Sequence, residues 1–256
     1  MNNEFKNHII QALDMNVRSD GRKLDEFREI SVTTDVSKTA EGSAIVKVGD
    51  TVVIAGVKLD IGAPFPDRPD EGAIMVNVEL LPLSNPDFEP GPPSIEAIEL
   101  ARVVDRGIRE SRAIDVKKLA IKKGEKCWLA QIDICTINDA GSLLDASALA
   151  TIAALKNTRF PAYENEEIDY KNKTDKTLEL EKIPVSVTVF KIGKNYLVDP
   201  LKEEEKNYDA RLTVALTEDN TLCALQKGGE LPLTTDDISR MIDIASEKAA
   251  EIRKYI

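Results

Sequence analysis

The stretch VDPLKEEEKNYDARLTVAL, Val198 to Leu216, holds the densest run of acid in the chain, Glu203, Glu204 and Glu205, with Asp209 and Arg211 close behind. Carboxylates grouped in this way suit a cradle for a divalent cation, a general acid or base, or a solvated turn. Consecutive side chains on a strand point to alternate faces, so the three glutamates cannot all face one ion. A cation site would also draw carboxylates from elsewhere, and Lys202 and Lys206 bracket the run. By residue type alone the segment reads as a charged, solvated loop, with a divalent-metal site for hydrolysis as the alternative.

A second constellation lies in SIEAIELARVVDRGIRESRAID, residues 94–115. At about 100° per residue, Ala97, Leu100, Ala101, Val104 and Ile108 share one side of a helix, and Arg102, Arg106 and Arg109 form a stripe nearly opposite. A column of guanidiniums suits a phosphate backbone, because each can fork onto two oxygens. The same arginines are also spaced for surface ion pairs. Glu99 lies three residues before Arg102, Asp105 four before Arg109, and Glu110 four after Arg106. Both readings stand on the spacing. NDAGSLLDASA, residues 138–148, places Gly141 and Ser142 at a helix start, where free backbone N–H groups attract anions. No cation adjoins them, only Leu143 and Leu144, so this reads as a plain N-cap. The one histidine, His8, sits beside Phe5, Ile9 and Ile10 in a helical pattern, and a helix-surface or partly buried role suits it better than catalysis. Cys127, Cys135 and Cys223 show no CxxC spacing, which argues against a disulfide framework and a structural zinc site.

These residues need elements to position them. The 256 residues are 42% hydrophobic and 31% charged, ordinary for a folded domain with a sizeable core. No apolar run approaches the ~20 residues of a membrane span, and the start has no signal-peptide pattern. The expectation is a cytoplasmic protein with no membrane association. A net charge of −11 disfavours broad nucleic-acid affinity, though not one local basic stripe. A helix is predicted within residues 1–17, and strands across 28–60 with a hairpin turn at Gly49-Asp50. An exposed loop over 61–72 leads to a strand over 74–81, then to a helix over 95–113 capped by Ser94. The second half repeats the order, with a strand over 126–137 and a helix over 142–157. Residues 163–182 read as a loop or ragged edge. Strands follow over 185–192, 196–198, 211–216 and 221–225. The last helix is capped by Thr234 or Thr235 and buries a stripe of Ile238, Ile242, Ala245, Ala249 and Ile252. The expectation is one α+β domain over 1–256: two pseudo-repeated strand–helix units with a break near 160–182, and a C-terminal helix.

Five stretches in order, RSDGR, GSAIVKVGDTVVIAGVK, ELARVVDRGIRES, DAGSLLDASALATIAAL and LVDPLKEEEKNYDARLTVAL, resemble the RNase PH family. The likeness is specifically to the non-catalytic RNase PH-like subunit of the archaeal exosome core. It implies the RNase PH fold (ribosomal protein S5 domain 2-like) and RNA trimming from the 3′ end by orthophosphate. It further implies a six-membered ring, a trimer of dimers with a catalytic RNase PH-like partner, RNA threaded through it, and a cap subunit bearing RNA-binding domains. No cofactor or metal is expected. Active members hold phosphate with a Gly-Thr/Ser-Arg motif at the start of the second helix, and the matching residues here are Gly141, Ser142 and Leu143. Active members also carry two aspartates six residues apart, where this chain has Glu205 and Arg211. Leu143, Glu205 and Arg211 therefore mark a degenerate active site, and a fixed cation such as Arg211 cannot serve as an acid or base near neutral pH. The resemblance places the arginine helix beside RNA, which favours RNA binding by Arg102, Arg106 and Arg109. Arg68, in PFPDRPDEG, is a further candidate for lining the pore. The alternative is that the chain is itself an active phosphate-dependent 3′-to-5′ exoribonuclease using Glu205.

Overall fold

Apolar residues at every second position make the first sheet. The computed structural model describes residues 3–164 and 167–256. In it, β1 (Ile30–Thr34), β2 (Gly42–Val48) and β3 (Thr51–Gly62) form an antiparallel meander. Along β3, Val53, Ala55, Val57 and Leu59 are wholly buried and their neighbours half-buried, the period-two pattern of a sheet covered on one face. β4 (Ala73–Glu79), β5 (Ala120–Lys122) and β6 (Lys126–Asn138) complete the sheet, in the order β1-β2-β3-β6-β4 with β5 paired to β6. The sequence pattern suggested that β6 opens the second half. It instead lies inside the first sheet, because Ala130, Ile132 and Ile134 register against Leu59, Val57 and Ala55 and bury on the same face.

The second sheet has the order β10-β9-β11-β12, from β9 (Val185–Ile192), β10 (Asn195–Val198), β11 (Ala210–Leu216) and β12 (Leu222–Gly228). β11 is buried at every position, so both of its faces are covered. Residues 163–182, expected as a loop, instead contribute to a hairpin of β7 (Arg159–Glu164) and β8 (Glu167–Thr177). Its polar sequence follows from exposure along most of β8. Its base is anchored by Trp128, which meets Phe160 and Tyr163 edge-on.

Among the described residues five helices complete the fold: α1 (Asn3–Asp14), α2 (Ile95–Glu110), α3 (Leu143–Lys156), α4 (Lys202–Glu205) and α5 (Thr235–Ile252). α3 is buried almost all round, from Leu143 to Leu155, and packs against β2 and β3 of one sheet and β9 of the other. A helix apolar on every face can only be a core helix. α2 starts where Ser94 accepts a hydrogen bond from the Ala97 N–H and buries Ala97, Leu100, Val104 and Ile108, as predicted. It ends at Glu110 rather than Ala113, because Arg112 takes a left-handed φ of 56°. α5 is capped by Thr234 in a reciprocal box with Asp237. Met241, Ala245, Ala249 and Ile252 fill its buried face, while Ile238 and Ile242 flank them half-buried. α1 packs Leu13 into a small separate cluster with Phe190, Ile192 and Leu197. Among the described residues no helix is long and apolar enough to cross a membrane.

Candidate functional site

One glycine brings the site's two halves together. Gly141 has φ 95°, and a Cβ on it would lie 2.4 Å from the Pro200 carbonyl oxygen. Only glycine permits that backbone contact, which seats the N-terminus of α3 directly on α4. The expected N-cap at Ser142 is not made. Ser142 adopts a left-handed φ of 62°, and its buried hydroxyl has no hydrogen-bond partner among the described residues.

What occupies the helix N-terminus is Glu205. Its carboxylate lies 3.3 Å from Lys202 Nζ, which also reaches Asp139 Oδ2 at 2.5 Å, and the nearby Ser142 backbone amide favours its charged form. Burial pushes the Glu205 carboxyl above the ordinary range, against the opposing pull of Lys202. An anion at a helix N-terminus is favoured by the free N–H groups and the dipole. Here the chain supplies that anion itself.

The acid run is neither strand nor solvated loop. Residues 202–205 form one helical turn, closed by the Leu201 N–H donating to Glu204 Oε2 at 2.8 Å. Helical steps of about 100° send the three glutamates in different directions. Glu203 is exposed, Glu204 is buried, and Glu205 faces α3. Glu204 meets Arg18, whose side chain is fully buried, in a two-pronged pair at 3.0 and 2.7 Å. The remaining Arg18 N–H groups donate to the carbonyls of Lys23, Val198 and Asp199. Asp199, itself wholly buried, takes Arg22 at 2.8 Å and Arg28 at 2.6 Å. Arg28 continues to the carbonyls of Ala140 and Gly141. The three arginines of residues 18–28 thus tie α4 to the start of α3. Composition gave no sign of this network, because the ion pairs with Glu204 and Asp199 each span more than a hundred residues. The available signal was three arginines in a short segment beside the buried-strand pattern of Leu197 and Val198.

Arg211 projects from β11 into the same region, pairs with Glu99 Oε2 at 2.8 Å and lies near the Tyr208 ring. Burial works against its charge, but Glu99 and Tyr208 together outweigh burial and hold its pKa above the ordinary value. Asp209, its neighbour in sequence, turns instead to Lys6 and the Gly193 N–H. Gly228 makes room for Arg211, since a Cβ there would lie 2.6 Å from Cζ. Arg211, Glu205, Leu143, Lys202 and Tyr208 line one cavity of about 270 Å³. The structure therefore brings Leu143, Glu205 and Arg211 together. Leu143 contributes apolar wall and is 9% exposed.

The arginine stripe divides. Arg109 makes the predicted pair with Asp105, at 2.6 and 3.0 Å, and also donates to the Ile74 carbonyl. The other two expected pairs are absent among the described residues. Glu99 is drawn to Arg211, and Arg106 donates to the Leu225 carbonyl at 3.3 Å rather than to Glu110. Arg102 is exposed and has no ion pair among the described residues. Arg102 and Arg106 therefore keep uncompensated charge, while Arg109 does not. Arg68 is exposed, with one long contact of 3.7 Å to Asp67.

Family models match most of the chain: 3′ exoribonuclease family domain 1 over residues 26–161 and domain 2 over residues 182–248. This chain belongs to the RNase PH family of 3′ exoribonucleases. The two matched stretches follow the division into the two sheets. Among RNase PH-family relatives, the exosome complex component Rrp42 of Archaeoglobus fulgidus is 47% identical over 249 residues, covering 97% of this chain and 94% of that one. The protein of that name from Methanopyrus kandleri is 44% identical over 255 residues, covering 98% and 95%. A solved A. fulgidus exosome with RNA bound to the active site contains a chain that superposes with a TM-score of 0.91 at 46% identity, covering 98% of this chain and 97% of that one. Rice Rrp46, at 18% identity and a TM-score of 0.70 over 93% of this chain and 97% of its own, shares the RNase PH fold.

One further residue near the site was not singled out by its sequence. Asp145, on the first turn of α3, accepts from the Thr188 N–H at 3.1 Å and contacts Thr188 Oγ1 at 2.6 Å, and Thr188 in turn meets Thr213. Burial raises its carboxyl to about 7, against the Thr188 hydrogen bonds, with Asp199 and Glu205 adding to the rise. The folded state therefore keeps a proton that the unfolded chain loses near pH 4, so the stability Asp145 contributes is lost as pH climbs from about 4 to about 7. Asp145→Asn can accept from the Thr188 N–H and donate to its hydroxyl without burying a charge. The variant is expected to match wild type near pH 4 and exceed it by a few kcal/mol, on the order of 4 at most, at pH 8. Urea unfolding at the two pH values checks this, and an equal difference at both would refute it.

Proposed function

We propose that this chain is an RNA-binding structural subunit of an exosome core ring in the cytoplasm, without a phosphorolytic site of its own. It pairs with a catalytic RNase PH-like subunit in a trimer of dimers and completes that partner's substrate groove with Arg102 and Arg106. A cap subunit with RNA-binding domains sits on one face of the ring. The observation that carries this reading is Arg211, fixed by Glu99 at 2.8 Å in a cavity it shares with Glu205. A guanidinium held there can neither donate nor accept the proton of a phosphorolytic step. Two further features support it. Leu143 offers no cation for an attacking phosphate, and the Glu205 carboxylate stands beside it at the start of α3, where it would repel one. Similarity to the Rrp42 relatives and to the RNA-bound exosome supports the assembly.

The test is phosphate-dependent trimming of a 3′-tailed RNA by the chain alone and with its partner. The expected result is no trimming by the chain alone and robust trimming by the complex. Strong trimming by the chain alone would overturn the proposal. One observation favours a second reading, an active exoribonuclease: the Glu205 carboxyl faces the cavity with its pKa raised, as a general acid requires. Glu205→Ala in the assembled ring separates the two. We expect turnover within about twofold of wild type, whereas a general acid would cost roughly a hundredfold or more.

A further inference from the structure

We propose that the Glu205–Arg211 cavity binds a small uncharged heteroaromatic amide, a free nucleobase or nucleoside with a ring carbonyl beside a ring N–H. The proposal rests on the reading above that no phosphorolytic turnover uses this cavity, and it gives the cavity a role other than catalysis. The observation behind it is an unused donor. Arg211 is 8% exposed, its Nη2 meets Glu99 Oε2 at 2.8 Å, and its buried Nη1 has no hydrogen-bond partner among the described residues. A buried N–H without an acceptor is costly, the more so on a charged group. A ligand that brings an oxygen to Nη1 removes that cost as it binds.

The walls select what that oxygen is attached to. Leu80, Phe88, Leu100, Leu143 and Leu144 supply an apolar lining, and Tyr208 adds a second aromatic ring. The core holds them in place: Leu100 and Leu143 are buried, while Leu80, Phe88 and Leu144 pack half-buried against it. The volume of about 270 Å³ lies just below the ~300 Å³ at which clefts for drug-sized ligands begin. It therefore takes a ring system or a nucleoside rather than a length of chain. A planar ring gains most from such walls, by burying apolar area and by stacking on the aromatic side chains.

Charge decides against an anion. Among the described residues the cavity is lined by the acids Asp87, Glu96, Glu99 and Glu205 and by the cations Lys202, Lys206 and Arg211. Each cation already has an acid: Lys206 meets Asp87 at 2.8 Å, Lys202 meets Asp139 and Glu205, and Arg211 meets Glu99. Glu96 is exposed with no ion pair among the described residues. A phosphate or carboxylate would enter against Glu96 and Glu205 with no free cation to offset the repulsion. A neutral carbonyl takes the Arg211 N–H without that repulsion, and a ring N–H beside it has Glu205 or Glu96 as acceptor. Uracil and guanine present a carbonyl of this kind, whereas adenine has none.

The full chain, without its partner so that no second site contributes, is titrated with uridine by isothermal calorimetry. One uridine per chain is expected, bound at least about tenfold more tightly than adenosine. Uridine 5′-monophosphate is expected to bind about tenfold or more weakly than uridine, because its phosphate meets the acidic lining. Arg211→Met is expected to weaken uridine binding about tenfold. Because that residue is buried beside Glu99, Phe88→Ala gives a second measure, at least about fivefold weaker, with Phe88→Trp within about twofold of wild type. Circular dichroism establishes that each variant is folded. No uridine binding, equal binding of adenosine, or tighter binding of the monophosphate or of an oligouridylate overturns the proposal. Wild-type affinity in both Arg211→Met and Phe88→Ala does so as well. Trimming of RNA by the chain alone overturns the reading above instead, whereas absent uridine binding without trimming overturns this proposal alone.

Discussion

A ring carrying Arg102→Glu and Arg106→Glu binds single-stranded RNA about ten- to a hundredfold more weakly than wild type near 0.1 M salt, and its salt slope falls by about one to two. Each guanidinium that neutralises a phosphate releases condensed counterions, so its loss shows in the slope as well as in the affinity. Arg102 and Arg106 are the members of the stripe with charge to give, because no carboxylate among the described residues pairs with either. Arg109 is an internal control. Asp105 already neutralises it and the Ile74 carbonyl anchors it, so Arg109→Gln is expected to change affinity no more than about twofold. Fluorescence anisotropy of a labelled oligonucleotide measures all three. An unchanged slope in the double variant would return the stripe to a structural role.

The second large effect is on stability. Arg18→Met should cost about 3–5 kcal/mol in urea unfolding, because it leaves Glu204 buried and unpaired. Arg18 is fully buried and spends its N–H groups on Glu204 and on carbonyls from both ends of the chain. Arg18→Met with Glu204→Leu should recover most of the loss, since a buried ion pair and a well-packed apolar pair differ little in net stability. The double-mutant cycle then reports the coupling directly. A single variant within about 1 kcal/mol of wild type would show that α4 does not depend on this latch.

That latch also marks what a sequence can and cannot disclose. Alternation along β3, the cap at Ser94 and the box at Thr234 were legible because each is decided by neighbours within a few residues. The juxtaposition of Leu143, Glu205 and Arg211 was legible only through family resemblance. Residue type alone gave a charged, solvated loop at 203–205, because charge runs carry no period and one turn of helix is too short to show one. Glu99 was assigned to Arg102 by proximity along the helix, but a buried cation on β11 is a stronger partner than an exposed one. Arg18 and Glu204 are 186 positions apart, and nothing local announces such a pair. The extent of β6 was read correctly and its sheet was not, because pairing depends on register with β3, which a single strand's pattern does not contain.

The contact between Gly141 and Pro200 has a consequence for competition. By seating α4 on α3 it tethers the Glu205 carboxylate beside the Ser142 amide, so this anion never diffuses away. A tethered group acts at an effective concentration of at least the millimolar order, and higher as the tether stiffens. Free phosphate at ordinary concentrations therefore meets an opponent that cannot be diluted. On the reading proposed above, phosphate would reach the start of α3 only by displacing this tethered group.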